Sequence, residues 1–210
     1  MKNKYFFSVI IATYNRAVLV QRALQSLMAQ TESDWEAWII DDGSTDDTQL
    51  VVSSFLSQKI HYFYQPNQGD AAAKNKGVEL AKGNYVTFLD SDDYYEDTHL
   101  ATRKEILIQH PEIDILHGGV KIIGEQYVPD VFREGELIHL SKCVIGATFF
   151  IKKSVFTALH GFETIRLGSD AKLLAKAEKS GYSIEKTHHP TYVYDRTGTD
   201  SITHNYNKNI

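Results

Sequence analysis

Residues 84–93 read NYVTFLDSDD. A mostly apolar, β-prone run from Tyr85 to Leu89 ends on Asp90, Ser91, Asp92 and Asp93. The run is continuous rather than alternating, as in a strand covered on both faces. Asp90 and Asp92 lie two apart, so a continuing strand would point both side chains the same way. Two like charges held close repel unless a cation or hydrogen-bond donors sit between them. A divalent ion with hard oxygen ligands, Mg²⁺ or Mn²⁺, would meet that need through one or two carboxylates, substrate phosphate and water. The stretch therefore predicts a parallel sheet whose strand ends carry chemistry.

The residues before it repeat the pattern. FFSVIIAT (6–13) is a β-rich run, and 16–30 follow with Leu19, Ala23, Leu24, Leu27 and Met28 at helical spacing. WEAWIIDD (35–42) is a strand, and TDDTQLVVSSFLS (45–57) a helix capped by Ser44 or Thr45. KIHYFYQ (59–65) is a third strand and 69–83 a third helix, stopped at Gly83. This alternation means βαβ units and a largely parallel sheet with helices on both faces. Ligands bind beyond the carboxyl ends of such strands. Those ends read Thr13, Tyr14, Asn15; Asp41, Asp42; Asn67, Gln68, Gly69; and Asp90 to Asp93. Asp, Asn, Ser and Gly also end strands simply because they suit turns. The acid spacing at 90–92 argues for more than a turn.

The second half is less regular. Residues 97–110 predict a helix ended by Pro111, and 114–125 a strand broken by Gly118 and Gly119. Residues 126–142 read as a polar loop, 146–162 as strand then helix, and 169–182 as a helix. Without a repeat, linker or low-complexity tract, the 210 residues are expected to form one domain, its halves 1–97 and 98–210 doing different jobs.

Composition narrows the function. With 42% hydrophobic residues the chain can build a core. Twenty-two basic against 27 acidic residues, net −5, argue against a nucleic-acid partner. Cys143 is the only cysteine, so no intrachain disulfide forms and a reducing cytoplasm is expected. Lys2 and Lys4 precede a short apolar run with no small-residue cleavage site, so no secretory leader is expected. No segment reaches the length of a membrane span, while peripheral attachment at the inner membrane face stays open.

In order along the chain, SVIIATYNR, WIIDDGSTDDT, NQGDAAAKNKGVELAKGNYVTFLDSDD and GF…SD resemble the family 2 glycosyltransferases of GT-A fold. The resemblance is dense over 6–97 and thinner over 143–196. It implies a Rossmann-like, mostly parallel sheet, a nucleotide-sugar-binding first half and an acceptor-binding second half. It further implies an inverting enzyme that moves a hexosyl or N-acetylhexosaminyl group from a nucleotide-diphosphate sugar to a hydroxyl. By the resemblance Thr13, Tyr14 and Asn15 line the nucleobase pocket. Asp41 or Asp42, more readily Asp42, accepts the base's ring N–H, which hints at a UDP-sugar. Asn67 and Lys74 fall in a nucleotide-contacting segment, with Lys74 where arginine is common. Asp90 faces the ribose, Ser91 belongs to the nucleotide-sugar site, and Asp92 faces the Mn²⁺ or Mg²⁺. Asp93 has no set role.

The family's general base matches Asp170, after the turn Gly161, Phe162, Glu163. Ser169 replaces the usual acidic neighbour, and Lys176 stands where arginine often follows. A carboxylate there also suits a helix N-terminus for its dipole alone. Arg196 and Ser201 are candidates for phosphate or acceptor contacts, Tyr94 and Tyr95 for stacking on the acceptor, and His188, His189 and His204 for a metal shell. The acceptor, whether glycan, lipid-linked intermediate or protein, is not specified by these motifs. A degenerate nucleotide-sugar-binding protein is one competing reading. Others are a nucleotidyltransferase, which would need a glycine-rich loop that ATYNRA lacks, and a receiver-like signalling domain, whose acids fall in a different order.

Overall fold

The structure, a computed structural model, describes residues 4–130, 133, 135–165 and 167–198. The elements run β1 (Tyr5–Thr13), α1 (Ala17–Met28), β2 (Trp35–Asp41), α2 (Thr48–Ser53), β3 (Ile60–Tyr64), α3 (Asp70–Leu80), β4 (Gly83–Phe88) and β5 (Tyr94–Tyr95). There follow α4 (His99–Gln109), β6 (Ile115–Gly124), β7 (Tyr127–Pro129), β8 (Leu137–His139), β9 (Phe150–Lys152), α5 (Lys153–Ala158), α6 (Ser169–Lys179) and β10 (Ile184–Arg196). The main sheet has eight strands in the order β3-β2-β1-β4-β9-β6-β10-β5. β9 runs against both β4 and β6, and β5 against β10; the other pairings are parallel. β4 and β6 thus share a direction, and the ends of β1, β2, β4 and β6 open on one rim.

β1 is the axis of the first half. Val9, Ile10 and Ile11 are fully buried, one set packing beneath α1 and the other beneath α3. Burying each such side chain stabilises the fold by about 1.5–3 kcal/mol. α3 lies close enough that a Cβ on Gly77 would sit 2.4 Å from the Ile10 side chain. The buried stripe of α1 is Val20, Ala23, Leu24 and Leu27. Leu19 is only half-buried and Met28 is exposed, a shift of the expected stripe by one residue at its start.

Other differences have local causes. The second helix begins after Asp47, not at Ser44 or Thr45. Ser44 Oγ accepts the Asn15 N–H and the Thr45 N–H goes to Asn15 Oδ1, so both residues bind the end of β1. Asp46 takes over at the helix start, accepting the Thr48 N–H and hydroxyl. Residues 126–142 contain the hairpin β7–β8 as well as loop. β10 is a 13-residue strand that no sequence pattern marked, because Pro190 argues against a strand interior. Its pairing with β6 is interrupted between Thr187 and Tyr192, where proline removes no ladder bond. Among the described residues no helix is long and apolar enough to cross a membrane.

Candidate active site

The strand-end acids are held by backbone and by cations. Asp41 is buried, with Oδ1 accepting the Ser44 N–H at 2.8 Å and Oδ2 the Tyr62 hydroxyl at 2.7 Å. Burial and then that carboxylate push the Tyr62 phenol well up. Asp42 accepts three hydrogen bonds: Gln65 Nε2 at 2.7 Å and the Gln68 N–H at 2.9 Å on Oδ1, and the Gly69 N–H at 2.7 Å on Oδ2. A carboxylate offers about four lone-pair sites, so Oδ2 keeps room for one donor more. Asp42 thereby sets the entry to α3. Gly43 sits where a Cβ would lie 2.9 Å from the Asn67 nitrogen, and its φ of +91° needs a glycine.

The nucleobase candidates divide. Tyr14 is exposed, and Thr13 is buried with a hydroxyl that has no partner among the described residues. Asn15 is committed to the β2–α2 loop, its Oδ1 accepting from the Thr45 N–H at 2.7 Å and its backbone held at φ +52°. Asn67 is exposed at the rim.

β4 stops at Phe88, so Asp90 and Asp92 lie in a turn and are not paired through a continuing strand. Their repulsion is met by protein cations. Lys74 Nζ lies 2.7 Å from Asp90 Oδ1 and 3.0 Å from Asp70 Oδ2. Burial alone would lower the Lys74 ammonium, but Asp70 and then Asp90 outweigh it and hold it above its ordinary range. Arg16 Nη1 lies 2.6 Å from Asp92 Oδ2. Ser91 is buried between them.

This leaves Asp90 Oδ2 and Asp92 Oδ1 without a hydrogen bond among the described residues. Both side chains are part-exposed, 33% and 20%. These hard oxygen donors fit Mg²⁺ or Mn²⁺, which binds through one or two carboxylates and keeps other positions for phosphate and water. Among the described residues no three His, Cys, Asp or Glu side chains converge, so His188 and His189 do not complete a protein shell. His204 and Ser201 lie outside the described residues.

Asp93 turns inward. It is fully buried, its Oδ2 accepting the Tyr192 hydroxyl at 2.6 Å and its Oδ1 the Asp195 N–H at 2.9 Å. Burial first, then repulsion by Asp90 and Asp92, pushes its carboxyl well above the usual range. Arg22 ties the same turn from α1, donating to the Asp92 carbonyl and to Asp195 Oδ2 at 2.6 Å. Tyr95 is a core residue stacked on His99, its hydroxyl donating to the Phe88 carbonyl, and is not exposed for stacking on a sugar. Tyr94 packs under the Arg22 guanidinium.

Asp170 lies in the first turn of α6, half-buried. Its Oδ2 accepts the Gly146 N–H at 3.0 Å and its Oδ1 the Ala171 N–H at 2.8 Å. A Cβ on Gly146 would meet Asp170 Cβ at 2.7 Å, so the two segments touch. Glu163 is bridged by Lys172 at 3.1 Å and Lys176 at 3.0 Å, which pins the turn before α6 to its solvent face. Asn75 clamps that turn from α3: Nδ2 donates to the Phe162 carbonyl at 2.8 Å and Oδ1 accepts its N–H at 2.9 Å. Adjacent residues of one helix, Lys74 and Asn75, therefore reach the Asp90 turn and the segment leading to Asp170. Arg196, buried at the end of β10, has Nε and Nη1 without partners among the described residues. The positioning roles of Arg16, Arg22 and Tyr192 escaped sequence reasoning, since nothing in their spacing announces a partner so distant.

A family model described as glycosyl transferase family 2 matches residues 8–155. An uncharacterized glycosyltransferase of Rickettsia felis is 48% identical over 92 residues, 43% of this chain and 15% of that protein. Another, from a Nostoc species, is 40% identical over 113 residues, 52% of this chain and 35% of its own length. The putative teichuronic acid biosynthesis glycosyltransferase TuaG of Bacillus subtilis is 36% identical over 109 residues, 50% of this chain and 43% of its own. Each match spans less than half of the relative. Among solved structures, S. aureus TarS 1-349 in complex with UDP-GlcNAc superposes with a TM-score of 0.79 at 22% identity, over 93% of this chain and 60% of that one. A mannosyltransferase from Pyrobaculum calidifontis in complex with GDP-Man and Mn²⁺ gives 0.75 at 19% identity, over 96% and 59%. The mostly parallel sheet is the GT-A architecture expected from the motifs.

Proposed function

The chain belongs to glycosyl transferase family 2, and from that premise we propose that it moves a sugar from a nucleoside-diphosphate sugar to a hydroxyl acceptor, inverting the anomeric centre. The observation that carries this reading is the double reach of α3. Lys74 holds Asp90 and Asn75 holds the turn before α6, so the acids suited to the donor and the carboxylate suited to a base are braced by one element. The structural neighbours bound to UDP-GlcNAc and to GDP-Man with Mn²⁺ support the donor class.

In this proposal Asp42 accepts the base N–H on Oδ2, favouring a uracil edge, with Thr13, Tyr14 and Asn15 around it. Asn67, Lys74 and Ser91 contact the nucleotide sugar, Asp90 faces the ribose, and Asp92 holds Mn²⁺ or Mg²⁺. Bound there, the ion would offset the charge that grows on the leaving diphosphate. Asp170 takes the acceptor's hydroxyl proton as the new C–O bond forms and the bond to the diphosphate breaks. The Gly146 and Ala171 amides hold that carboxylate in one orientation. Displacement in one step inverts the centre.

The test is a thermal-shift screen of UDP-, GDP-, ADP- and dTDP-sugars with and without Mn²⁺. A rise in melting temperature with one nucleotide class, larger with the ion, is expected. Indifference to every nucleotide in both conditions would sink the proposal.

A further inference from the structure

Beside the rim that holds the strand-end acids, β6 and β10 enclose a pocket of about 210 Å³. Its walls are His117, Gly118 and Gly119 on β6, Lys186 and His188 on β10, and the loop that carries Ser141, Ile145 and Thr148. Not one Asp or Glu lines it, although acids outnumber bases in the chain, 27 to 22. Lys186 is exposed, and its ammonium makes no ion pair or hydrogen bond among the described residues, while its backbone pairs with β6 beside His117. His117 stands beside it: burial and then the Lys186 charge push the imidazole down, leaving a neutral ring able to donate one N–H.

Behind the glycine pair lies a second cation. Arg103 is fully buried, and its Nη2 donates to the carbonyls of Gly118 at 3.2 Å, Gly119 at 3.3 Å and His189 at 2.9 Å. Its Nη1 donates to the Thr191 and Thr102 hydroxyls. Among the described residues it has no carboxylate partner, and its Nε has no hydrogen bond. Burial brings the guanidinium down to about 10, so it stays charged at neutral pH. A Cβ on Gly119 would lie 2.5 Å from Nη2 and 2.1 Å from the His189 carbonyl, so the bare glycine backbone is what allows the guanidinium so near the pocket wall. A buried charge without a counter-ion is costly, and a nearby anion offsets that cost.

We propose that this pocket is an anion subsite for the acceptor, taking a phosphate or carboxylate group through Lys186, His117 and His188 over the buried Arg103. The inference rests on the transferase reading for the word acceptor; the anion site itself does not. The pocket borders the segment that holds Asp170: Ile145 and Thr148 line it, and Gly146 between them donates to the Asp170 carboxylate. Cys143 also lines the pocket, and its thiol is pushed up by burial first and then by Asp170 and Asp130. Negative charge at the Asp170 end and positive charge at the Lys186 end orient an acceptor with its hydroxyl toward the base and its anion away from it.

The experiment is NMR of ¹⁵N-labelled full chain, following the amides of Gly118, Gly119 and Thr187. Glycerol 3-phosphate, glucuronate and methyl glucoside are titrated separately, before and after UDP with Mn²⁺. We expect saturable shifts with at least one anion and none with methyl glucoside. Lys186→Gln, an exposed change, should weaken the anion by about tenfold or more while UDP binds as in wild type. Shifts from glycerol 3-phosphate alone assign phosphate; from glucuronate alone, carboxylate. No shift from either anion, an equal shift from methyl glucoside, or unchanged anion affinity in Lys186→Gln would overturn the site. Anion shifts in a protein that ignores UDP, GDP, ADP and dTDP sugars alike would keep the site and remove the transferase reading attached to it.

Discussion

Asp42, at the end of β2, accepts three hydrogen bonds from the segment that enters α3. Arg103, on α4 behind β6, donates only to carbonyl and hydroxyl oxygens among the described residues. The same contrast runs through the two regions. In the first half Asp41, Asp42, Asp90, Asp92 and Asp93 each have named donors, most of them backbone amides or cations fixed on helices. In the second half the Lys186 ammonium has no hydrogen bond or ion pair and Arg196 is left with two orphan nitrogens, among the described residues. Preset acids suit a donor whose diphosphate and ribose vary little. Unspent cations suit a ligand that brings its own negative charge. The one acid of the second half with a proposed chemical role, Asp170, is where the two regimes meet.

The sharpest way to break this division is at that meeting point. Asp170→Asn keeps an acceptor for the Gly146 N–H but removes the proposed base. Transfer should fall by about 10²–10⁴-fold while nucleotide affinity, read by thermal shift, stays as in wild type. An Asn variant that still transfers at the wild-type rate would move the base elsewhere.

A smaller loss is expected at Asp92. Asp92→Ala should lower turnover on the order of 10²-fold and erase the extra thermal shift that Mn²⁺ adds to nucleotide binding. The variant also releases Arg16, so the control is Arg16→Gln, which should retain the Mn²⁺ response. If chelation and Asp92→Ala each left turnover unchanged, the Asp90–Asp92 turn would be a cation-pinned structural feature like its neighbours.

How far the sequence could foretell this depended on the region. The βαβ alternation showed in continuous apolar runs, and β1, β2, β3 and β4 formed within a residue or two of where those runs predict them. The acids at the strand ends were visible for the same reason, since each run stops on them. What stayed hidden was partnership. Arg16 and Asp92 are 76 positions apart, Tyr192 and Asp93 99 apart, and no local period links them. β10 was hidden by Pro190 and by side chains that do not alternate. Arg103 did leave a trace: it lies between Leu100 and Leu107 on the buried stripe of α4, a charge where the period calls for an apolar residue. Such a residue on a core stripe marks a buried network more reliably than a cluster on the surface.

The holding role of the first half can be tested through stability. Asp42→Ala strips the acceptor from Gln65 Nε2 and from two loop amides, in a place that is almost fully buried. About 2–3 kcal/mol should be lost, read as a lower urea midpoint with an unchanged m-value. A loss near zero would mean that water reaches the loop and that Asp42 is poised for the ligand and not for the fold.

The smallest effect is the most diagnostic, because Asp93 belongs to the first half yet is strained by its own neighbours. Its folded carboxyl is raised by burial and by Asp90 and Asp92, while in the unfolded chain it titrates near an ordinary aspartate, about 3.9. A group raised on folding contributes stability that is full below the unfolded value and is lost as pH climbs through the folded one. Asp93 should therefore tax the fold at neutral pH and relieve it on moderate acidification. Asp93→Asn keeps an oxygen for the Asp195 N–H and cannot ionise, so it should remove this slope and gain stability at pH 7 relative to its standing at pH 4. Urea midpoints at the two pH values, wild type against variant, measure the difference. If the two curves run parallel, the Tyr192 hydroxyl and the Asp195 amide hold the carboxylate well enough to cancel its neighbours, and Asp93 joins Asp41 and Asp42 as an acid fully accommodated by the fold.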